Sequence, residues 1–259
     1  MKPLSSGLLI AAFHLAQVLA ASNAATAATP AAAPTFPDAF AGEPEFNTTG
    51  GRGSAGSAGV VKLKDGTSSY IVSARHLLGP EGAFDGQGAA KDVAAFVKSI
   101  RITSFFSGSA RNYHVAGLLV PATRLETHSS EPLDDLTIYL IKDHLAQGPV
   151  VPLADRVPAQ RTQIWLVATV RGGVPDGQIM QSGRVASNGA WPKWLIFQFD
   201  NDRIVPGGAS GAPVVNAAGE VVGVYSGHRT EQGHVLGFAI PAPLIATAIR
   251  TASAPSSGR

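Results

Sequence analysis

The sequence predicts an all-β protein, built either as one large β domain or as two small barrels. Its 259 residues include 29 Gly and 18 Pro, the residues that punctuate turns. Between those turns stand short runs of Val, Ile and Leu rather than long segments of helical period. The runs fall into two groups, parted by the Pro- and Gly-bearing stretch AQGPVVPLADRVPAQ at 146–160. A composition that is 45% hydrophobic and 15% charged is that of a globular chain with a core to bury.

Taken in order, the chain opens on Lys2 and the apolar run GLLIAAFHLAQVLAA, with no further charge until Asp38. This is the pattern of a secretory leader over residues 1–20, with cleavage near Ala20 and with Ala24 or Ala27 as alternatives. The run is too short to span a membrane comfortably, and His14 and Gln17 interrupt it, so no stable membrane span is expected after cleavage. The expected location is therefore periplasmic or extracellular. Residues 21–45, rich in Ala, Thr and Pro, read as a disordered spacer. The globular part is expected over 46–250. Its first strands are GVVKLK, SSYIVSA, AFVKSIRI, YHVAGLLV and LTIYLI. The second group is TQIWLVATV, QIMQSGRVA, WLIFQFD, APVVN, EVVGVYS and HVLGFAI. Ile245 and Ile249, four apart behind a Pro, predict a short closing helix over 243–251, and 252–259 read as a disordered tail.

Several function classes fall away. The net charge of +2 comes without a Lys/Arg block or interleaved aromatics, so no nucleic-acid partner is expected. The absence of cysteine removes a thiol nucleophile, a thiolate metal site, a lipid anchor and disulfides, so stability must come from the core. No cofactor and no metal are predicted, since His228 and His234 alone are a thin basis for a metal site.

What remains is a serine in unusual company. In VPGGASGAPVV, Gly208 and Gly211 leave room for a sharp turn around Ser210, and Pro213 limits how that turn relaxes into the next strand. Such a turn can merely join two strands. It can also present one hydroxyl while the backbone N–H groups of Gly208 and Ser210 converge on a developing oxyanion. A base is then needed, and His76 stands where the apolar run YIVSA ends. The other histidines, His14, His114, His128, His144, His228 and His234, lack that setting. A carboxylate to orient the imidazole is offered by EPLDDLTIYLI, where Asp135 directly precedes the apolar run and Asp134 is the reserve choice.

In that order, SARHLL, DLTIYLI and GGASGAPVVNAAGEVVGV resemble the His, Asp and Ser motifs of the trypsin-like (chymotrypsin-fold) serine proteases. IMQSGRVAS and LGFAIPAPLI are similar to stretches of the exported Deg/Htr-type members. The resemblance runs from Gly59 to Ile249. It implies two perpendicular six-stranded antiparallel β-barrels, at about 55–145 and 155–242, with the short helix closing the second. It also implies that His76, Asp135 and Ser210 meet in the cleft between them and hydrolyse peptide bonds of extended polypeptide substrates. The tail is too short for the PDZ module common in the Deg/Htr type, and the oligomeric state is left open.

Two positions depart from the family pattern. Ala209 stands where relatives carry Asp, Asn or Ser, which excludes the activating ion pair of the trypsin branch. Ala212 replaces Gly or Ser. The substrate pocket is expected along Ile204 and Val205 and along Tyr225, Ser226, Gly227 and His228, with a small or medium apolar side chain preferred. His228 would instead suit an acidic one. Two other readings share the fold: a silent binding or chaperone-like module, which Ala209 favours, and a small-ester hydrolase using the same three residues.

Overall fold

The computed structural model describes residues 32–38, 40–79, 82–84, 90–119, 131–142, 150–186 and 193–253. The predicted leader, residues 21–31 of the spacer, His14, His128, His144 and the last six residues lie outside the described residues.

In chain order the strands are β1 (Ala41–Thr48), β2 (Gly51–Ser54), β3 (Ala58–Lys62), β4 (Ser69–Ala74), β5 (Val97–Ser104), β6 (Ala110–Leu118) and β7 (Leu136–Ile141). They continue as β8 (Val151–Pro152), β9 (Gln163–Val167), β10 (Met180–Val185), β11 (Leu195–Phe199), β12 (Pro213–Asn216), β13 (Val221–Glu231) and β14 (His234–Pro241). Helix α1 covers Ala90–Ala95 and α2 covers Ala242–Ser253. Strands β1-β5-β6-β7-β4-β3 follow one another, and β3 pairs back to β1 to close the first barrel. Strands β10-β11-β14-β13-β12-β9 close the second. The two-barrel alternative, six antiparallel strands each, is therefore the architecture.

The strands that position the site are sandwiched between the barrels, which explains their unbroken apolar sequences. Along β4, Ile71 enters the first barrel's core, while Tyr70 and Val72 join the core of the second. Strand β7 divides the same way, with Tyr139 and Ile141 inward and Leu136 and Ile138 facing the second barrel. Period-2 alternation persists, but both faces are dry, so the polar half of the usual pattern is missing. Strand β5 packs on one face only, and there Lys98 and Arg101 point to water while Ile100 and Ile102 are fully buried. Helix α2 places Ala242, Ile245, Ala246 and Ile249 on one buried face, the i, i+3, i+4, i+7 stripe of a helix docked on a barrel.

Three elements correct the sequence reading. The spacer expected to residue 45 ends sooner: Phe40 and Ala41 are fully buried, and residues 42–48 pair with β5. Pro44 falls on the part of β1 with no β2 partner, where a missing N–H does least harm to the sheet. The expected break at 146–160 contains β8, parallel to β3, and buries Val151, Leu153 and Ala154. Ala95, assigned to a strand, ends α1 instead.

Candidate active site

Antiparallel pairing of β4 and β7 sets Ala74 opposite Leu136. The chain leaving β4 and the chain entering β7 therefore reach the same rim. Past Ala74 it turns into a 3-10 helix, Arg75–Leu78, anchored by buried Leu77 and Leu78. Before Leu136 it makes another, Pro132–Asp135, with Pro132 in the first turn, where no N–H is needed. These two turns bring His76 and Asp135 together. The Asp135 carboxylate accepts the His76 main-chain N–H at 3.0 Å and lies 2.9 and 3.0 Å from Nδ1 with its two oxygens. An ionised carboxylate only accepts, so Nδ1 carries the proton in this arrangement. Asp134 is held differently: its main-chain carbonyl accepts from Arg75 Nη1 at 2.7 Å.

The second barrel delivers Ser210 through a turn of main-chain bonds. Ala209 N–H donates to Pro206 at 3.1 Å, Ala212 N–H to Ala209 at 2.9 Å, and Gly211 N–H to Tyr225 at 2.7 Å. Gly208 and Gly211 adopt φ of 88° and 87°, a region that favours glycine. Their surroundings differ. A Cβ on Gly211 would stand 2.1 Å from the Ser57 carbonyl oxygen, whereas a Cβ on Gly208 would meet nothing within 4 Å. The turn is thus packed against the first barrel on one side and open on the other. On the open side the N–H groups of Gly208 and Ser210 have no acceptor among the described residues.

Ser226 joins the halves. Its carbonyl accepts the Ser210 hydroxyl at 3.2 Å, and its own hydroxyl donates to Oδ2 of Asp135. Expected as a pocket residue, Ser226 directs its side chain to the His–Asp pair.

Ser57, which sequence reasoning passed over, holds the serine turn from the first barrel. Fully buried, it donates its N–H to the Ser210 carbonyl at 2.8 Å and its hydroxyl to the Gly208 carbonyl at 3.2 Å. Its own carbonyl accepts the Ser73 hydroxyl at 2.7 Å. Ala209 is fully buried in the second core, so its methyl occupies apolar packing.

The expected pocket residues separate into two kinds. Ile204 and Tyr225 are interior, and the Tyr225 ring lies 6.3 Å from that of Phe197 between centroids. Val205 is 49% exposed, Gly227 is half-buried, and His228 is exposed, although partial desolvation of its ring holds its pKa below the ordinary value. His234 is engaged elsewhere, with Nδ1 3.0 Å from Asp202. No helix among the described residues is long and apolar enough to cross a membrane.

Comparison with known families matches residues 56–224, well over half the chain, to the trypsin-like peptidase domain. No curated protein matches. Among solved structures, the serine endoprotease from Yersinia pestis superposes with a TM-score of 0.51 at 18% identity, over 85% of this chain and 68% of that one. A thermostable serine protease, AL20, from an extremophilic microorganism gives 0.51 at 15% identity, over 83% and 97%. At such identities the likeness is one of fold.

Proposed function

Because the chain belongs to the trypsin-like peptidase family, we propose that it is an exported serine endopeptidase that works through an acyl-enzyme on Ser210. The observation that carries this reading is the link through Ser226, which ties the Ser210 hydroxyl to the Asp135–His76 pair across the two barrels. In the first step Oγ of Ser210 turns from the Ser226 carbonyl to attack the substrate carbonyl carbon, and its proton passes to Nε2 of His76. The N–H groups of Gly208 and Ser210 receive the oxyanion. The C–N bond then breaks as His76 returns the proton to the leaving amine. A water molecule then gives its proton to the same imidazole and attacks the acyl carbon, and the ester C–O bond breaks as His76 returns that proton to Oγ of Ser210. Throughout, Asp135 holds the tautomer and balances the imidazolium.

Ala209 is compatible with this chemistry. Ser57 and the bonds within residues 206–212 hold the turn in place of an ion pair, so activity needs no newly cut N-terminus. Beside the serine, the described chain offers interior Ile204 and Tyr225 and exposed, uncharged Val205, which supports a small or medium apolar side chain next to the scissile bond. His228 argues the same way. Partial desolvation of its ring lowers its pKa and so disfavours the charged form that would attract a carboxylate.

The test is labelling with a fluorophosphonate. The wild type should be modified, and Ser210→Ala and His76→Ala should not. An unlabelled, folded wild type rejects the reading in favour of a binding module. Cleavage of casein, against hydrolysis of small esters alone, decides between peptidase and esterase.

A further inference from the structure

Arg75, one residue before His76, is only 2% exposed, yet it carries a guanidinium. A buried cation is normally met by a carboxylate and a full set of hydrogen bonds. Here Nη1 donates to the Asp134 carbonyl at 2.7 Å, and Nε and Nη2 have no hydrogen-bond partner among the described residues. Desolvation accordingly lowers its pKa, against the opposing pull of Asp134 and then Asp135. A cation placed at this cost and left so little compensated is poorly explained by stability. Its position supplies a better account. The dipeptide Arg75–His76 grips the dipeptide Asp134–Asp135: Arg75 holds the carbonyl at the peptide bond before Asp135, while the His76 N–H and ring hold the Asp135 carboxylate.

We propose that Arg75 is a positioning residue for the His76–Asp135 pair, fixing where the carboxylate sits and, as a buried positive charge on the residue next to His76, restraining how strongly His76 holds a second proton. The inference rests on the peptidase reading for its consequence in catalysis but not for its direct test. A fixed cation disfavours the imidazolium and so keeps the neutral base available to lower pH. Among the described residues, the other groups facing the pair do not duplicate it. The turn at 132–135 contributes only the two aspartates, with Glu131 before it paired to Lys193. Helix α1, packed on the His76 turn, presents the uncharged Val93 and Ala94 among its described side chains. From β4 come Ser73 and Ala74, and from β13 comes Ser226, with His228 two residues further as the next titratable group.

The experiment follows the His76 ring by NMR through a pH titration in a Ser210→Ala background, which requires no turnover, and separately the acid limb of kcat/KM in the active enzyme. Arg75→Gln should raise the midpoint of both by about one pH unit, a roughly tenfold change in the imidazole-to-imidazolium ratio. Arg75→Lys, which keeps the charge, should restore the wild-type midpoint even if kcat falls. With Arg75 present, the ring should titrate no higher than an ordinary histidine despite its carboxylate partner, and this holds as a test if the Gln variant fails to fold. A midpoint already well above that range, an unshifted Gln variant, or a Lys variant displaced as far as Gln overturns the proposal. If the ring titrates as expected while the wild type neither labels nor cleaves, the peptidase reading fails and the role of Arg75 stands.

Discussion

The two barrels hold the residues of the candidate site in opposite ways. In the first, polar groups are used on one another: Asp135 is bonded to the main chain and ring of His76 and to Ser226, so the pair is rigid and already oriented. In the second, residues 206–212 satisfy their interior bonds but leave the N–H groups of Gly208 and Ser210 without acceptors among the described residues. On the proposed mechanism the first barrel holds a charge relationship in place, and the second leaves donors for a charge that does not yet exist. A site for acyl transfer needs both, because the base must be fixed before reaction while the oxyanion forms only during it.

The largest effect should come from breaking the rigid half. Asp135→Asn preserves shape but lets Nδ1 serve as acceptor, and kcat should fall by about 10⁴ with an unchanged circular dichroism spectrum. The open half should respond more mildly and more selectively. Gly208→Ala has room for its methyl but loses the left-handed backbone, and misplacing one donor should cost about 10²–10³ in kcat with KM nearly unchanged. Its counterpart, Gly211→Ala, drives Cβ into the Ser57 carbonyl and should appear as lost folded protein in a denaturation curve. A comparable loss of folded protein in both glycine variants would erase the proposed distinction between open and packed sides. Ser57→Ala removes only the bond to the Gly208 carbonyl, and about a tenfold fall in kcat is expected, matching a hydrogen bond of roughly 1.4 kcal/mol.

The smallest effect lies away from the cleft. Lys64 pairs with Glu220 at 2.7 Å and holds its carboxyl below the ordinary carboxylate value. The pair therefore contributes stability above the unfolded carboxylate pKa and loses it as pH falls through the lowered folded value. Lys64→Met should flatten this part of the Tm-against-pH curve and leave kcat untouched.

How much of this could be read from sequence follows the same division. The candidates His76, Asp135 and Ser210 were singled out because each stands at the end of an apolar run or among glycines, a local signal, and the structure pairs the first two. Strand β1 was not, because AGEPEFNT carries Pro, Gly and two acids, and only its pairing with β5 makes it a strand. Ser57 was illegible for a stronger reason. It sits in GRGSAGSAG, which resembles a linker, and its partner Gly208 is 151 residues away. Ser226 was noticed for its place on β13, but its hydroxyl's destination depends on how the two barrels meet. Small polar residues that act through distant backbone groups leave no periodicity behind them.

The bonds from Ser57 to the serine turn and from Ser226 to Asp135 all run between barrels. Cut between β7 and β9 and expressed as two fragments, the chain would have a base without a nucleophile in one piece and a nucleophile without a base in the other. Neither should react with a fluorophosphonate by itself, and reactivity regained on mixing would measure reassembly directly. The chemistry thus doubles as a reporter of how tightly one half of the molecule grips the other.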